Sequence, residues 1–159
     1  MQSMLLCMLI VSISSCSSTR LTAKKTKHSS LDNRETKLIN RAKDFIGTPY
    51  KWGGNSDTGI DCSGLIYQSF KAIEQEVPRT TQELIRIGRK LNPNRLKPGD
   101  LVFFKTIKSK AKATHVGIIT NHSKNKTLFI HSGTSTGVTI SKLQDRYWKK
   151  RFVFARRLL

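Results

Sequence analysis

Residues 48–68 read TPYKWGGNSDTGIDCSGLIYQ. Gly53, Gly54 and Gly59 forbid regular structure there and permit tight backbone approach. Beyond them Leu65, Ile66, Phe70 and Ile73 recur at helical spacing, so a turn hands over to an amphipathic helix near Asp61. Asp61 has the side chain of an N-cap, which puts Cys62 in the first helical turn. A thiol in that position feels the positive end of the backbone dipole and nearby amide N–H groups, and both favour thiolate. Two readings follow for Cys62: a nucleophile, or a small buried hydrophobe at a helix start. A base and an orienting partner elsewhere in the chain would decide for the first.

Toward the N-terminus, Leu38, Ile39, Ala42, Phe45 and Ile46 form one stripe of a helix over Arg34 to Gly47, with Gly47 and Thr48-Pro49 as its stop. Ser17 to Asn33 is rich in Ser, Thr, Lys and Asn and reads as a flexible tether, with a reach of about 20–25 Å. Met4 to Ile13 is almost wholly apolar, too short to span a bilayer but right for a signal-peptide core. It ends in Ile13-Ser14-Ser15-Cys16, which resembles the lipobox of bacterial lipoproteins and makes Cys16 the expected lipidation site. A plain secretory signal is the alternative, because no Lys or Arg precedes the run and Cys7 lies inside it. The expected organisation is a signal peptide at 1–15, a lipid-anchored tether at 16–33 and one domain at 34–159. Ser17, in place of Asp, favours the outer membrane if the source is Gram-negative. After removal of the signal only Cys16 and Cys62 remain, so no disulfide framework is available and Cys62 is a free thiol.

Toward the C-terminus, Val77-Pro78-Arg79 breaks the helical pattern and a short helix is predicted over Thr80 to Arg89. Leu96-Lys97-Pro98-Gly99-Asp100 is a turn, after which the period changes. Leu101 to Phe104, His115 to Thr120, Thr127 to His131, Val138 to Ser141 and Phe152 to Arg156 are short β-rich runs. Helices first and antiparallel strands afterwards predict an α+β domain with the helices on one side of a curled sheet. Lys and Arg number 29 against 10 Asp and Glu, a net charge of +19. Such a field favours polyanions. The cations are spread along the chain without a nucleic-acid module pattern, so with an export signal present an envelope polymer or a membrane surface ranks above nucleic acid. No phosphate-loop glycine pattern occurs, and no cofactor or metal is expected.

Two of the four histidines stand at strand ends: His115 opens Thr114-His115-Val116-Gly117-Ile118, and His131 closes Phe129-Ile130-His131. If those strands are antiparallel neighbours joined through Asn121 to Lys126, the two imidazoles meet. One then takes the thiol proton while the other fixes its tautomer, the logic of a Cys-His-His triad. Each histidine taken alone is also compatible with a structural role. His122 and His28 read as surface residues.

These segments, together with Gly47-Thr48-Pro49-Tyr50, Trp52-Gly53-Gly54, Asp61-Cys62-Ser63-Gly64-Leu65, Pro78-Arg79-Thr80 and Pro98-Gly99-Asp100-Leu101-Val102-Phe103-Phe104, resemble the NlpC/P60 cysteine peptidases of bacterial cell walls over Lys37 to Leu159. The resemblance implies a papain-like α+β fold and hydrolysis of an amide bond in the peptidoglycan stem peptide or cross-link. It implies Cys62 as nucleophile, His115 as general base and acid, and His131 as its orienter. Tyr50 is implied at the oxyanion site, and Asp61 and Ser63 on the substrate side. Asp61 keeps its capping role as an alternative, and Trp52 is expected in the core or, alternatively, in a pocket wall. Other readings are a non-catalytic wall-binding module, an amidase or acyltransferase on the same fold, and a basic membrane-surface binder. The expected partners are the peptidoglycan peptide and a membrane reached through Cys16, with no nucleic acid; the expected protein is a monomer in the bacterial cell envelope.

Overall fold

The computed structural model describes residues 21–159. The signal segment and the expected lipidation at Cys16 lie outside the described residues. The first element, α1, is Leu21–Asp44. It begins well before the apolar stripe, so most of the segment expected as a flexible tether is helical. That stretch contains neither Pro nor Gly, and nothing in it interrupts a helix propagating back from the packed end. Leu38, Ile39, Ala42 and Phe45 are buried, whereas Ile46, expected on the same stripe, is 52 % exposed because the helix has already ended. Gly47 adopts φ +88°, which turns the chain so that Gly47 N–H donates to Val138 O and Val138 N–H donates to Thr48 O.

A two-strand hairpin, β1 (Asn55–Ser56) and β2 (Gly59–Ile60), leads into α2 (Cys62–Lys71), which packs beside α1. The helix predicted over Thr80 to Arg89 is only one turn, α3 (Thr81–Leu84). It ends at Leu84 with Ile85 as C-cap; Gly88, at φ +71°, then turns the chain, and the next residues leave as β3 (Arg89–Leu91) to pair with the C-terminal strand. After a 3-10 turn at Pro93–Arg95 come β4 (Leu101–Phe104), β5 (His115–His122), β6 (Thr127–Gly133), β7 (Gly137–Lys142), the short helix α4 (Arg146–Arg151) and β8 (Phe152–Arg157). The last six strands form one antiparallel sheet in the order β3-β8-β4-β5-β6-β7.

The sheet is covered on both faces. Leu101, Phe103, Val116, Ile118, Ile130 and Phe154 join α1 and α2 in the larger core. Val102, Phe104, Ile119, Phe129 and Ala155 face the other way into a smaller one, closed by Leu143, Trp148 and Phe152. Every residue of β4 is therefore buried, which explains its uninterrupted Leu-Val-Phe-Phe run. The α+β expectation stands, with the addition that the face opposite the main helices is capped by α4 and its flanks.

At the entrance to β4, Asp100 is 1 % exposed and accepts from Arg157 Nε and Nη2, each at 2.7 Å, and from Lys97 N–H at 2.7 Å. This fork ties β8 to the Pro98-Gly99 turn. Asp100→Ala leaves the Lys97 amide without its acceptor and the Arg157 guanidinium with only its hydrogen bond to Arg95 O among the described residues. The expected loss is roughly 2–4 kcal/mol, read as a lower urea midpoint with unchanged slope.

Candidate active site

The site starts at the N-terminus of α2. Asp61 Oδ1 accepts from Gly64 N–H at 2.6 Å and Ser63 Oγ at 3.1 Å, the side-chain cap that starts the helix. Oδ2 accepts from Gly53 N–H at 2.9 Å. Arg79 closes the arrangement: Nη1 donates to Oδ1 at 2.9 Å and to Ser63 Oγ at 3.0 Å, and Nη2 donates to Gly54 O at 2.7 Å. A Cβ on Gly64 would collide with Gly54 O and crowd Arg79 Nη2 and Asp61 Oδ1, so the glycines on either side of Cys62 serve close approach of the turn to the helix. Asp61 thus caps α2 and also lines the cleft, with both carboxylate oxygens already engaged.

Cys62 is 8 % exposed, and its Sγ lies 3.7 Å from Thr81 Oγ1 on α3. It opens onto a cleft of about 650 Å³. One wall carries Tyr50, Trp52 and Gly53; the far wall carries Thr106, Ile107 and Thr114; His115 and Ser63 line it as well. Trp52 is 87 % exposed, which corrects its expected place in the core: the Gly53 turn, at φ +70°, holds it on the cleft rim.

His115 and His131 do meet. Ile118 pairs with Ile130 and Ile119 with Phe129, so continuing the register places Gly117 opposite His131 and His115 on the diagonal. Gly117 leaves the space for that diagonal contact, since a Cβ there would lie 2.7 Å from Phe129 Cδ2 and 3.2 Å from His131 Cβ. His115 Nε2 is 3.1 Å from His131 Nδ1, and His131 Nε2 is 3.0 Å from Ser141 Oγ on β7. Both rings are covered by Trp148 of α4, stacked on His115 at 5.5 Å between centroids and edge-on to His131 at 4.6 Å.

Burial pushes the Cys62 thiol above its usual range, and the Asp61 carboxylate adds to this. Hydrogen bonding with Thr81 and with the backbone at Val116 and Ser63 opposes the shift without overcoming it. The thiolate expected at a helix start is therefore not the resting form. Burial lowers His115 to about 3, helped by the neighbouring His131, and lowers His131 to about 4. Both imidazoles rest neutral at ordinary pH. The Tyr50 phenol is pushed up by burial and then by charge on Cys62 and Asp61, so it remains an O–H donor. A buried thiol sharing its cleft with a neutral imidazole and a phenol donor suits nucleophilic attack in which the proton moves as the bond forms.

Arg79, Thr81, Ser141 and Trp148 were not assigned roles from sequence. Arg79 lies inside the Pro78-Arg79-Thr80 motif and so was visible as a residue without a partner. Ser141 and Trp148 have no local signal, because strand register and the docking of α4 bring them to the histidines. Among the described residues no group of His, Cys, Asp and Glu is arranged to hold a metal ion.

Residues 47–157 match the NlpC/P60 family. The chain is 36% identical over 136 residues to a Haemophilus influenzae protein named "Probable endopeptidase NlpC homolog", covering 85% of this chain and 69% of that one. It is 37% identical over 128 residues to the Escherichia coli K12 murein DD-endopeptidase MepS/murein LD-carboxypeptidase, covering 79% of this chain and 63% of the relative. A crystal structure of an NLP/P60 family protein from Staphylococcus aureus superposes with a TM-score of 0.71 at 30% identity, over 80% of this chain and 42% of that one.

Two outcomes test the site geometry. In the unfolded chain a histidine titrates near 6.5, above the folded values of about 3 and about 4. Between those values the unfolded state binds more protons, so the stability held above about pH 6.5 is lost as pH falls toward 4. Urea midpoints across that interval should fall less steeply in His131→Asn than in the wild type; equal slopes would remove His131 as a cause. Gly117→Ala should push His131 off its diagonal and cost roughly 1–3 kcal/mol, measured by thermal unfolding.

Proposed function

Because the chain belongs to the NlpC/P60 family, we propose that it is a cysteine peptidase that hydrolyses an amide bond in the peptidoglycan stem peptide or cross-link. The observation that carries this is the pairing of Cys62 and His115 on one cleft, with the second nitrogen of His115 held by His131. Of the two candidate bonds, γ-D-Glu-diaminopimelate and D-Ala-diaminopimelate, the second is favoured by the likeness to a relative named as a DD-endopeptidase.

The assigned roles set the protons. His115 presents Nδ1 to the thiol, so its Nε2–H donates to His131 Nδ1, and His131 Nε2–H donates to Ser141 Oγ. As Cys62 Sγ attacks the substrate carbonyl carbon, the thiol proton passes to His115 and the carbonyl electron pair moves onto oxygen. That oxyanion is met by the Cys62 backbone N–H, which as the first helical residue has no intrahelical acceptor, and by the Tyr50 hydroxyl. Collapse of the intermediate expels the amine, which takes the proton from His115, and leaves a thioester. Water then attacks, giving its proton to His115; the thiolate leaves and is reprotonated. Asp61 and Ser63 shape the floor through Arg79, and Trp52 offers an apolar platform for substrate at the rim. Cys16 is the proposed lipid anchor, which would hold the enzyme in the cell envelope.

Mass spectrometry of muropeptides incubated with purified protein tests the assignment. Cys62→Ala and His115→Ala should abolish cleavage while leaving circular dichroism unchanged; residual turnover in Cys62→Ala would remove it as nucleophile. Tyr50→Phe should lower kcat by about 10²-fold. His131→Ala should lower kcat without eliminating it, because it orients the base and does not touch the substrate.

A further inference from the structure

The far end of the sheet carries a second concave feature that the chemistry above does not use. A trough of about 500 Å³ lies between the 3-10 turn, the β5–β6 connection and α4. It adjoins a hollow of about 430 Å³, with which it shares Asn94, Leu96 and His122. Lys124 and Lys149 line the first, and Arg89, Arg95, Lys97 and Arg157 the second. No Asp or Glu lines either; Arg157 is paired with Asp100 behind the hollow, and Lys124, Lys149, Arg95 and Lys97 enter no ion pair among the described residues. The floor of the trough is apolar: Leu96, Leu143 and Phe152 are the edge of the smaller core.

We propose that this trough is a docking surface for an anionic phospholipid membrane. Cations around an apolar floor fit a phosphate headgroup with the first methylenes of its chains, whereas a hydrated anionic polymer would use the cations and leave the floor unsatisfied. The net charge of +19 supplies the long-range attraction. Placement adds to the case. His115 and His122 stand at opposite ends of β5, roughly 20–25 Å apart at the rise of an extended strand. A membrane held at the His122 end leaves the Cys62 cleft at the other end. On the reading given above, the cleft is then offered to the wall while the anchor keeps the protein at the membrane.

Sedimentation with vesicles tests this, using the chain from residue 16 onward with Cys16→Ser, so that neither the apolar signal segment nor an acyl group contributes. Binding is expected to vesicles with about 30 % phosphatidylglycerol, to weaken with salt, and to be absent with phosphatidylcholine alone. Lys124→Glu with Lys149→Glu should lower partitioning at least about tenfold. The same charge change at Lys108 and Lys110, beside the cleft, should lower it far less. Equal losses in the two double variants would mean that overall charge suffices and would overturn the proposal. So would retention on purified peptidoglycan that falls in Lys124→Glu/Lys149→Glu while vesicle binding persists, because the trough would then belong to the wall. Hydrolysis of soluble muropeptides by that variant should stay at the wild-type rate; a fall would tie the trough to the cleft and also count against it. Vesicle binding needs no turnover, so its outcome stands apart from whether Cys62 is the nucleophile.

Discussion

The carboxylate of Asp61 is the point through which the site is assembled. It caps α2, holds the Gly53 amide and receives the Arg79 fork, whose other nitrogen reaches Gly54 O. Three separate pieces of chain are thereby drawn to one place: the turn that displays Trp52, the helix that begins with Cys62, and the segment that brings Thr81 to the thiol. Charge-assisted bonds to a nearly buried carboxylate are strong and directional, so the arrangement resists small displacements. The glycines around it follow from the same constraint, since a side chain on Gly54 or Gly64 would meet backbone or Arg79.

The histidine half of the site is built by a different rule. It depends on antiparallel register, which sets His115 and His131 on a diagonal across Gly117, and on the smaller core, which sends Trp148 over both rings. Burial there lowers both imidazoles, with His131 adding to the shift at His115, and burial of Cys62 in the larger core raises the thiol. In the mechanism proposed above, thiol and imidazole are both neutral at rest and charge develops only during attack; the chain His115–His131–Ser141 fixes the orientation of the two rings. The two halves join because α2 packs against β5 and β6.

The same strand that carries His115 into the cleft ends at His122 beside the basic trough. The proposed catalytic cleft and the proposed docking trough therefore lie at opposite ends of one small sheet and share no residues. At the trough several of the chain's many cations gather with no carboxylate among the lining residues.

Much of this protein is local in sequence and was legible there. The turn before Cys62, the Asp61 cap, the core face of α2 and the alternation of the strands depend on neighbours within a few residues, and the strand run Leu101 to Phe104 matches the observed element residue for residue. The pairing of His115 with His131 was also within reach, because a short connection and a two-residue period limit where antiparallel partners meet. What tertiary structure alone decided are the long-range matters. The pairing of β3 with β8 draws Arg89 to Leu91 into the sheet, and the predicted third helix keeps one turn. A glycine turn put Trp52 on the rim although its apolar ring suggested the core. Arg79 found Asp61, Ser141 found His131, and α4 closed Trp148 over the pair. In each case the deciding contact joins residues whose separation along the chain has no periodicity to reveal it, and whether a group is buried, with the pKa shift that follows, depends on the sum of such contacts.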